Sequence, residues 1–418
     1  MNALRLTPLA FSLFALSLHS HAAEDFSNLL SQGKASLDAR YRYEYVDQDN
    51  LLNNANAQTL RTRLGFQSGK FHGLSALVEA DNVSRIGDAA YNSTRNGQSQ
   101  YSVVADPDGT EMNQALLRYD HTLGNLIGGR QRINLDNQRF IGSVAWRQNE
   151  QTFDGALGQL KPIENLTLTY AYIDNINSVF GPDNGRYASA ANPANIEGHS
   201  HLFNAQYQVA TELVITGYSY LLGLNNLALI ASGPTGTQSS KTSGVRLTGL
   251  VQGFSYAAEY ASQTDYADNP WSLDSDYYLG ELGYTLQTVA LKAGYEVLTG
   301  DSGPGARNQA FQTPLATKHA FQGWADVFLT TPIGGVEDAY LGASMPLLGG
   351  TAQAVYHDFS AQSSVSTGDD YGSEINLSYD HPITGVRGVV RLAKYADYSA
   401  DDFSTDPRKF WLQLQYSL

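Results

Sequence analysis

Arginine is the residue whose placement in this 418-residue chain could do chemistry. Eleven of the 18 arginines fall between residues 40 and 147, where 11 acids balance them, whereas residues 148–418 carry 12 basic and 27 acidic side chains. A guanidinium is planar, holds its charge and pairs bidentately with carboxylate or phosphate. Arg40 and Arg42, Arg61 and Arg63, and Arg130 and Arg132 stand two apart, a spacing that sets both members on one face of an extended strand. Together with Arg118 they would form a guanidinium ladder along one wall, able to focus anions and hand them from site to site. The same arginines have a second use, as partners of Asp38, Glu44, Glu79, Asp81 and Asp120 that stiffen the wall; the two uses are compatible.

Other chemistry is sparse. No G-x-S-x-G elbow, H-E-x-x-H helix, P-loop or cysteine nucleophile is present, so an enzyme is not expected. His199 and His201 would point to one side of a strand, but no third ligand stands near them in sequence, and neither a metal nor any other cofactor is expected. The acidic runs Asp265, Asp268, Asp274, Asp276 and Asp397, Asp401, Asp402, Asp406 solvate loops; calcium, and lipopolysaccharide bridged through divalent ions, are candidate partners there. A formal net charge of -15 and a pI near 4.9 argue against nucleic acid.

The elements that must position these residues begin with an address. Arg5 is the sole charge before Glu24, Leu6–Leu18 is apolar, and Ser20-His21-Ala22 supplies small residues at a cleavage site, so residues 1–22 read as a secretory signal peptide and 23–418 as one exported domain. A run of about 13 apolar residues is short of the ~20 that a membrane helix needs. With no cysteine, the exported fold must hold itself without disulfides.

From there the pattern has a period of two, as a strand with one apolar and one polar face requires. Leu37, Ala39, Tyr41, Tyr43 and Tyr45 oppose Asp38, Arg40, Arg42 and Glu44; Leu74, Ala76, Val78 and Ala80 oppose Ser75, Glu79 and Asp81; Phe410, Leu412, Leu414, Tyr416 and Leu418 alternate to the terminus. Eighteen such segments are separated by connections that alternate long and short, from Asp47–Ala57 (long) and Ser68–Phe71 (short) to His381–Gly385 (short) and Asp397–Pro407 (long). The uncharged stretch Leu213–Ser240 contains Gly217, Gly223 and Gly233-Pro234, poor in a helix, and reads as a strand running into an apolar loop. The expected fold is therefore all-β: a transmembrane up-and-down antiparallel barrel of about 18 strands in a bacterial outer membrane, in contact with its lipid and lipopolysaccharide, with long loops outside and a tyrosine girdle at the interfaces.

Two blocks then carry a resemblance. Phe311-Gln312-Thr313-Pro314-Leu315-Ala316-Thr317-Lys318-His319, with Phe321-Gln322-Gly323-Trp324-Ala325-Asp326 and Phe328-Leu329-Thr330-Thr331-Pro332, resembles the signature loop of the alginate export family. Gly129-Arg130-Gln131, with Asp136 and Arg139-Phe140-Ile141-Gly142 and then Trp146-Arg147-Gln148-Asn149-Glu150-Gln151-Thr152-Phe153-Asp154, is similar to a second family block. The resemblance implies a channel with a cationic constriction for a polyanionic uronate, and it adds Arg139 and Arg147 to Arg130 as pore residues. The aromatic loop around Trp324 should fold inward or pack at the barrel mouth, since it would otherwise be adhesive. The five-residue turn at His381–Gly385 departs from the extended periplasmic turn of alginate secretors. The expected function is a passive, porin-like channel for anionic polysaccharide, oligosaccharide or carboxylate solutes; the alternative is a non-conducting structural or adhesive barrel whose long loops bind surface polymers or divalent ions.

Overall fold

The computed structural model describes residues 21–301, 307–364, 368–382, 389–399 and 405–418. Residues 1–20 of the expected signal peptide lie outside them, as do 383–385 of the expected late turn and Asp401 and Asp402. A helix, α1 (His21–Ser31), precedes the strands and sits under the first short turn, where the Gly69 N–H donates to the Leu29 carbonyl at 2.8 Å and the Phe26 and Phe71 rings meet edge to face at 6.1 Å.

Each alternating segment is a strand, from β1 (Lys34–Asp47), β2 (Ala55–Gln67), β3 (Leu74–Arg85), β4 (Gly109–His121), β5 (Gly124–Gln131) and β6 (Thr152–Leu160) to β18 (Arg408–Ser417). All pair antiparallel with their neighbours in sequence, and β1 pairs with β18 from Asp38↔Ser417 to Asp47↔Arg408, which closes an 18-stranded barrel. Closure leaves no edge strand whose unpaired N–H and C=O groups would meet lipid. The outside is apolar and exposed, with Leu64, Leu117, Leu282, Leu341 and Ile375 pointing away from the barrel and Tyr260, Tyr278 and Tyr295 among its aromatic residues. Inward positions on β1 are Arg40, Arg42 and Glu44, all buried. A closed sheet can bury such charges because its lumen is a second, polar interior.

That lumen is not empty. Two long connections, residues 132–151 and 300–334, turn inward, and their described parts pack against the wall. Ile133, Phe140, Ile141, Phe311 and Leu315 join wall residues Phe153, Ile173, Leu202, Tyr218, Tyr220, Tyr277 and Leu298 in an apolar core inside the barrel. The uncharged stretch after β9 (Leu213–Leu222) contributes Leu224 and Leu227 to the same core. A second cluster gathers Ala325 and Phe328 with Val336, Phe359, Tyr371, Tyr398 and Trp411, and Trp324 packs against it. The aromatic loop is thus folded inward, where its apolar area leaves water at about 25 cal/mol per Å².

Candidate functional site

The inward loops are tied to each other before they meet the wall. The Gly142 N–H donates to the Leu315 carbonyl at 2.9 Å, the Thr317 N–H to Gln138 O at 3.0 Å, and Gln151 Nε2 to both Gly142 O and Leu315 O at 2.8 and 3.1 Å. Arg139 crosses between them: it is buried, donates to Glu296 at 2.7 Å and to Thr313 Oγ1 at 3.0 Å, and lies over the Phe321 ring at 4.9 Å. Burial opposes its charge; Glu296 restores it and holds its pKa above the ordinary arginine value.

A charged node fixes this assembly to the arginine wall. The Asp326 carboxylate accepts from His319 Nδ1 at 2.7 Å and Lys409 Nζ at 3.0 Å, and lies 3.6 Å from Arg147 Nη2. Burial alone would raise its pKa, but His319, Lys409 and Arg147 hold it well below the usual carboxylate range. Arg147 also reaches Glu44 at 3.1 Å and Asp106 at 3.9 Å. Beside it, Arg42 donates to Gln413 Oε1 at 2.7 Å and to the Trp146 carbonyl, stacks on the Trp146 ring at 4.2 Å and lies 3.6 Å from Asp106. Arg40 is held mainly by carbonyls: its guanidinium donates to the Ala145, Trp146 and Arg147 carbonyls at 3.0, 3.4 and 3.4 Å and to Gln415 Oε1 at 3.2 Å. It is thereby a clamp on the inward loop.

Further around the wall, Arg61 pairs with Asp38, and Arg63 binds Asp81 bidentately at 2.7 and 2.6 Å and Glu150 at 3.1 Å. Arg132 bridges Glu79 and Glu150, and Asn113 Nδ2 donates to both carboxylates. Burial raises the Glu150 carboxyl, but Arg63 and Arg132 outweigh it and leave its pKa lowered. Arg118, toward the short-turn end, shares Asp120 with Lys70, each at 2.7 Å. Arg118 is 41% and Arg132 28% exposed, whereas Arg42, Arg61 and Arg139 are buried.

One expected lumen residue lies elsewhere. Arg130 shares strand parity with Leu126, 56% exposed on the outer face, while its neighbour Gln131 is buried; its bidentate partner Asp154, at 2.7 and 2.9 Å, shares parity with the outward Leu160. The Arg130–Asp154 pair therefore sits on the outer face, supported by Asn175 and Asn177. The two-residue spacing to Arg132 misled because β5 ends at Gln131: beyond the ladder the chain turns, and Arg132 swings inward despite the shared parity. His199 and His201 also face outward, each hydrogen bonded through Nδ1 to a tyrosine, Tyr172 at 2.7 Å and Tyr170 at 3.0 Å. Among the described residues no group of three or more His, Asp or Glu side chains is placed to hold a metal ion.

Sequence reasoning passed over three residues that matter: Lys318, Asp326 and Lys409. Lys318 is half-buried and donates to the Leu329 carbonyl at 2.6 Å. Burial, then the nearby Arg139 cation, push its pKa from 10.5 down to about 8. The signal available was their position in, or two residues from the end of, segments that alternation assigns to loop and wall; the loop's inward turn carries them together.

A closed barrel of 18 strands, apolar outside and charged within, its long loops turned into the lumen, is an outer-membrane protein of the porin-like channel class. The sequence profile described as alginate export matches residues 31–328, and the chain belongs to that family. Among solved structures its fold is similar to Pseudomonas aeruginosa OccK3 (OpdO), at 15% identity over 96% of this chain and 99% of that one with a TM-score of 0.69. It is also similar to P. aeruginosa OccK9 (OpdG), at 17% identity over 94% and 99% with a TM-score of 0.70. Acinetobacter baumannii OccAB4 follows at 14% identity over 92% and 98% with a TM-score of 0.67. Comparison with curated protein sequences returns no match.

Proposed function

We propose that the protein is a passive channel for anionic carbohydrate or carboxylate solutes, exported by removal of residues 1–22. One observation carries the reading: the apolar residues of the inward loops pack on wall residues between Phe153 and Leu298 and between Val336 and Trp411, so the wall of β2–β4 with Arg132, met by the polar loop residues Gln148 and Glu150, is the polar face left to a solute. On it, the Arg118 and Arg132 side chains are 41% and 28% exposed. Arg40, Arg42, Arg139 and Arg147 hold loops, Arg61 pairs with Asp38 on the wall, and Arg130 lies outside the path. The test is the reversal potential of the purified barrel in a planar bilayer under a KCl gradient. Anion preference is expected, and Arg132→Gln, which removes one of the two cations shared by Glu79 and Glu150, should shift it toward cations. Cation preference in the unmodified protein would sink the proposal.

The pairing of each of the arginines named above with a protein carboxylate or carbonyl favours a second reading, a barrel whose loops keep it closed and whose exterior binds surface polymers or calcium. Absence of any conductance or liposome swelling would select it.

A further inference from the structure

The loops that fill the long-loop half of the barrel do not meet everywhere. Connections 132–151, 178–194, 223–239 and 300–334 enclose a cavity of about 230 Å³. Its lining includes the apolar residues Val179, Phe180, Pro193, Ile196, Leu227 and Leu229. Lys318, Arg147, His319 and Asp326 also line it. These charges are not equivalent. Arg147 is spent on Glu44, and Asp326 on His319 and Lys409. Lys318 lines the cavity with the Leu329 carbonyl as its hydrogen-bond partner and Arg139 as its charged neighbour, and an ammonium has three donors.

We propose that this cavity is a recognition site for organic monocarboxylates with a compact hydrocarbon body, the carboxylate against Lys318 and the body against the wall of Phe180, Leu227 and Leu229. The inference rests on the anion-channel reading and narrows it. An apolar cavity of about 150 Å³ holds a benzene ring, so this one has room for a single ring or short chain plus a carboxylate, and none for a uronate oligomer. A small hydrated anion gains nothing from an apolar wall, whereas each methylene buried is worth about fourfold in affinity. Acetate and hexanoate, of equal charge, should therefore be told apart.

Single-channel currents of the full barrel, with acetate or hexanoate added on the long-loop side, test this. Hexanoate should interrupt the current at a concentration at least tenfold below acetate. Lys318→Gln should weaken the hexanoate effect about tenfold, Lys318→Arg should retain it, and Leu229→Asn should erase the preference for hexanoate while leaving acetate unchanged. Heat-modifiable migration in a gel establishes that each variant is a folded barrel. Equal action of the two acids on the unmodified channel, or a folded Lys318→Gln barrel that responds to hexanoate as before, overturns the proposal. So does loss of the hexanoate effect in Lys318→Arg. The KCl reversal potential in the same membranes separates the two readings: cation preference removes the anion channel itself, whereas anion preference without discrimination between the acids removes the cavity assignment alone.

Discussion

Asp326 shows what a single side chain can do inside this barrel. It is the meeting point of three cations from three places: His319 from its own loop, Arg147 from the other inward loop and Lys409 from the closing strand. Asp326→Asn would leave those cations buried against a neutral amide, which costs about 3–5 kcal/mol; protease cleavage within residues 311–331 should become faster in the folded barrel. Because its folded pKa is depressed, the carboxylate contributes stability that is complete above the ordinary aspartate pKa of 3.8 and is lost only as pH falls below it. The loops should thus stay protected from protease at pH 5, and protection that declines between pH 7 and 5 would contradict this. Lys318 works in the opposite direction. Its pKa of about 8 lies below its unfolded value of 10.5, so folding gains stability as pH rises between the two, while the site loses its positive charge. Anion preference should fall between pH 7 and 9, and Lys318→Arg should flatten that dependence.

At the scale of elements, the inward loops behave as a core without a domain of their own. Phe140 packs on Tyr218 at 5.4 Å, Tyr277 at 5.3 Å and Phe311 at 6.0 Å, so a ring from each loop meets rings from the wall. Phe140→Ala or Phe311→Ala should loosen this packing by about 3–5 kcal/mol and appear as larger, noisier single-channel currents with an intact barrel. Replacing residues 311–331 with a short Gly-Ser linker removes both the aromatic filling and the Asp326 node. Conductance should then rise several-fold, and an unchanged conductance would mean that the loop does not occupy the path. The strands were legible in the sequence because lipid outside and polar surroundings inside impose period two on every one of them. The loops were not, since a mixed aromatic and polar segment such as Phe311–Pro332 carries no period that says which side of the barrel mouth it will take; only the aversion of Trp324 and Phe328 to water pointed inward.

For the whole molecule, closure is the decisive event. The β1–β18 ladder converts seventeen hairpin-like pairings into a ring, and it brings Lys409 to Asp326 and Gln413 and Gln415 to Arg42 and Arg40. Deleting Arg408–Leu418 should therefore remove both the closing strand and the wall side of the loop anchor. The product is expected to lose heat-modifiable migration altogether rather than to form a wider or leakier barrel; a folded 17-strand ring would refute this.

The sequence by itself determined the class: period two, eighteen segments, alternating connection lengths and two family-like blocks suffice, because the two solvents of a membrane barrel act on each residue through its immediate neighbours. It also determined that arginine would concentrate on the early strands. What each arginine does was decided by tertiary structure. Arg40 clamps a loop 105 residues away, Arg139 pairs across 157 residues, and Arg130 faces outward with the parity of β5 while Arg132, beyond the end of that strand, turns inward. Whether a guanidinium is spent on a carboxylate or left for a solute depends on what the lumen brings within 4 Å of it, and that is set by how the loops fold back through the closed ring.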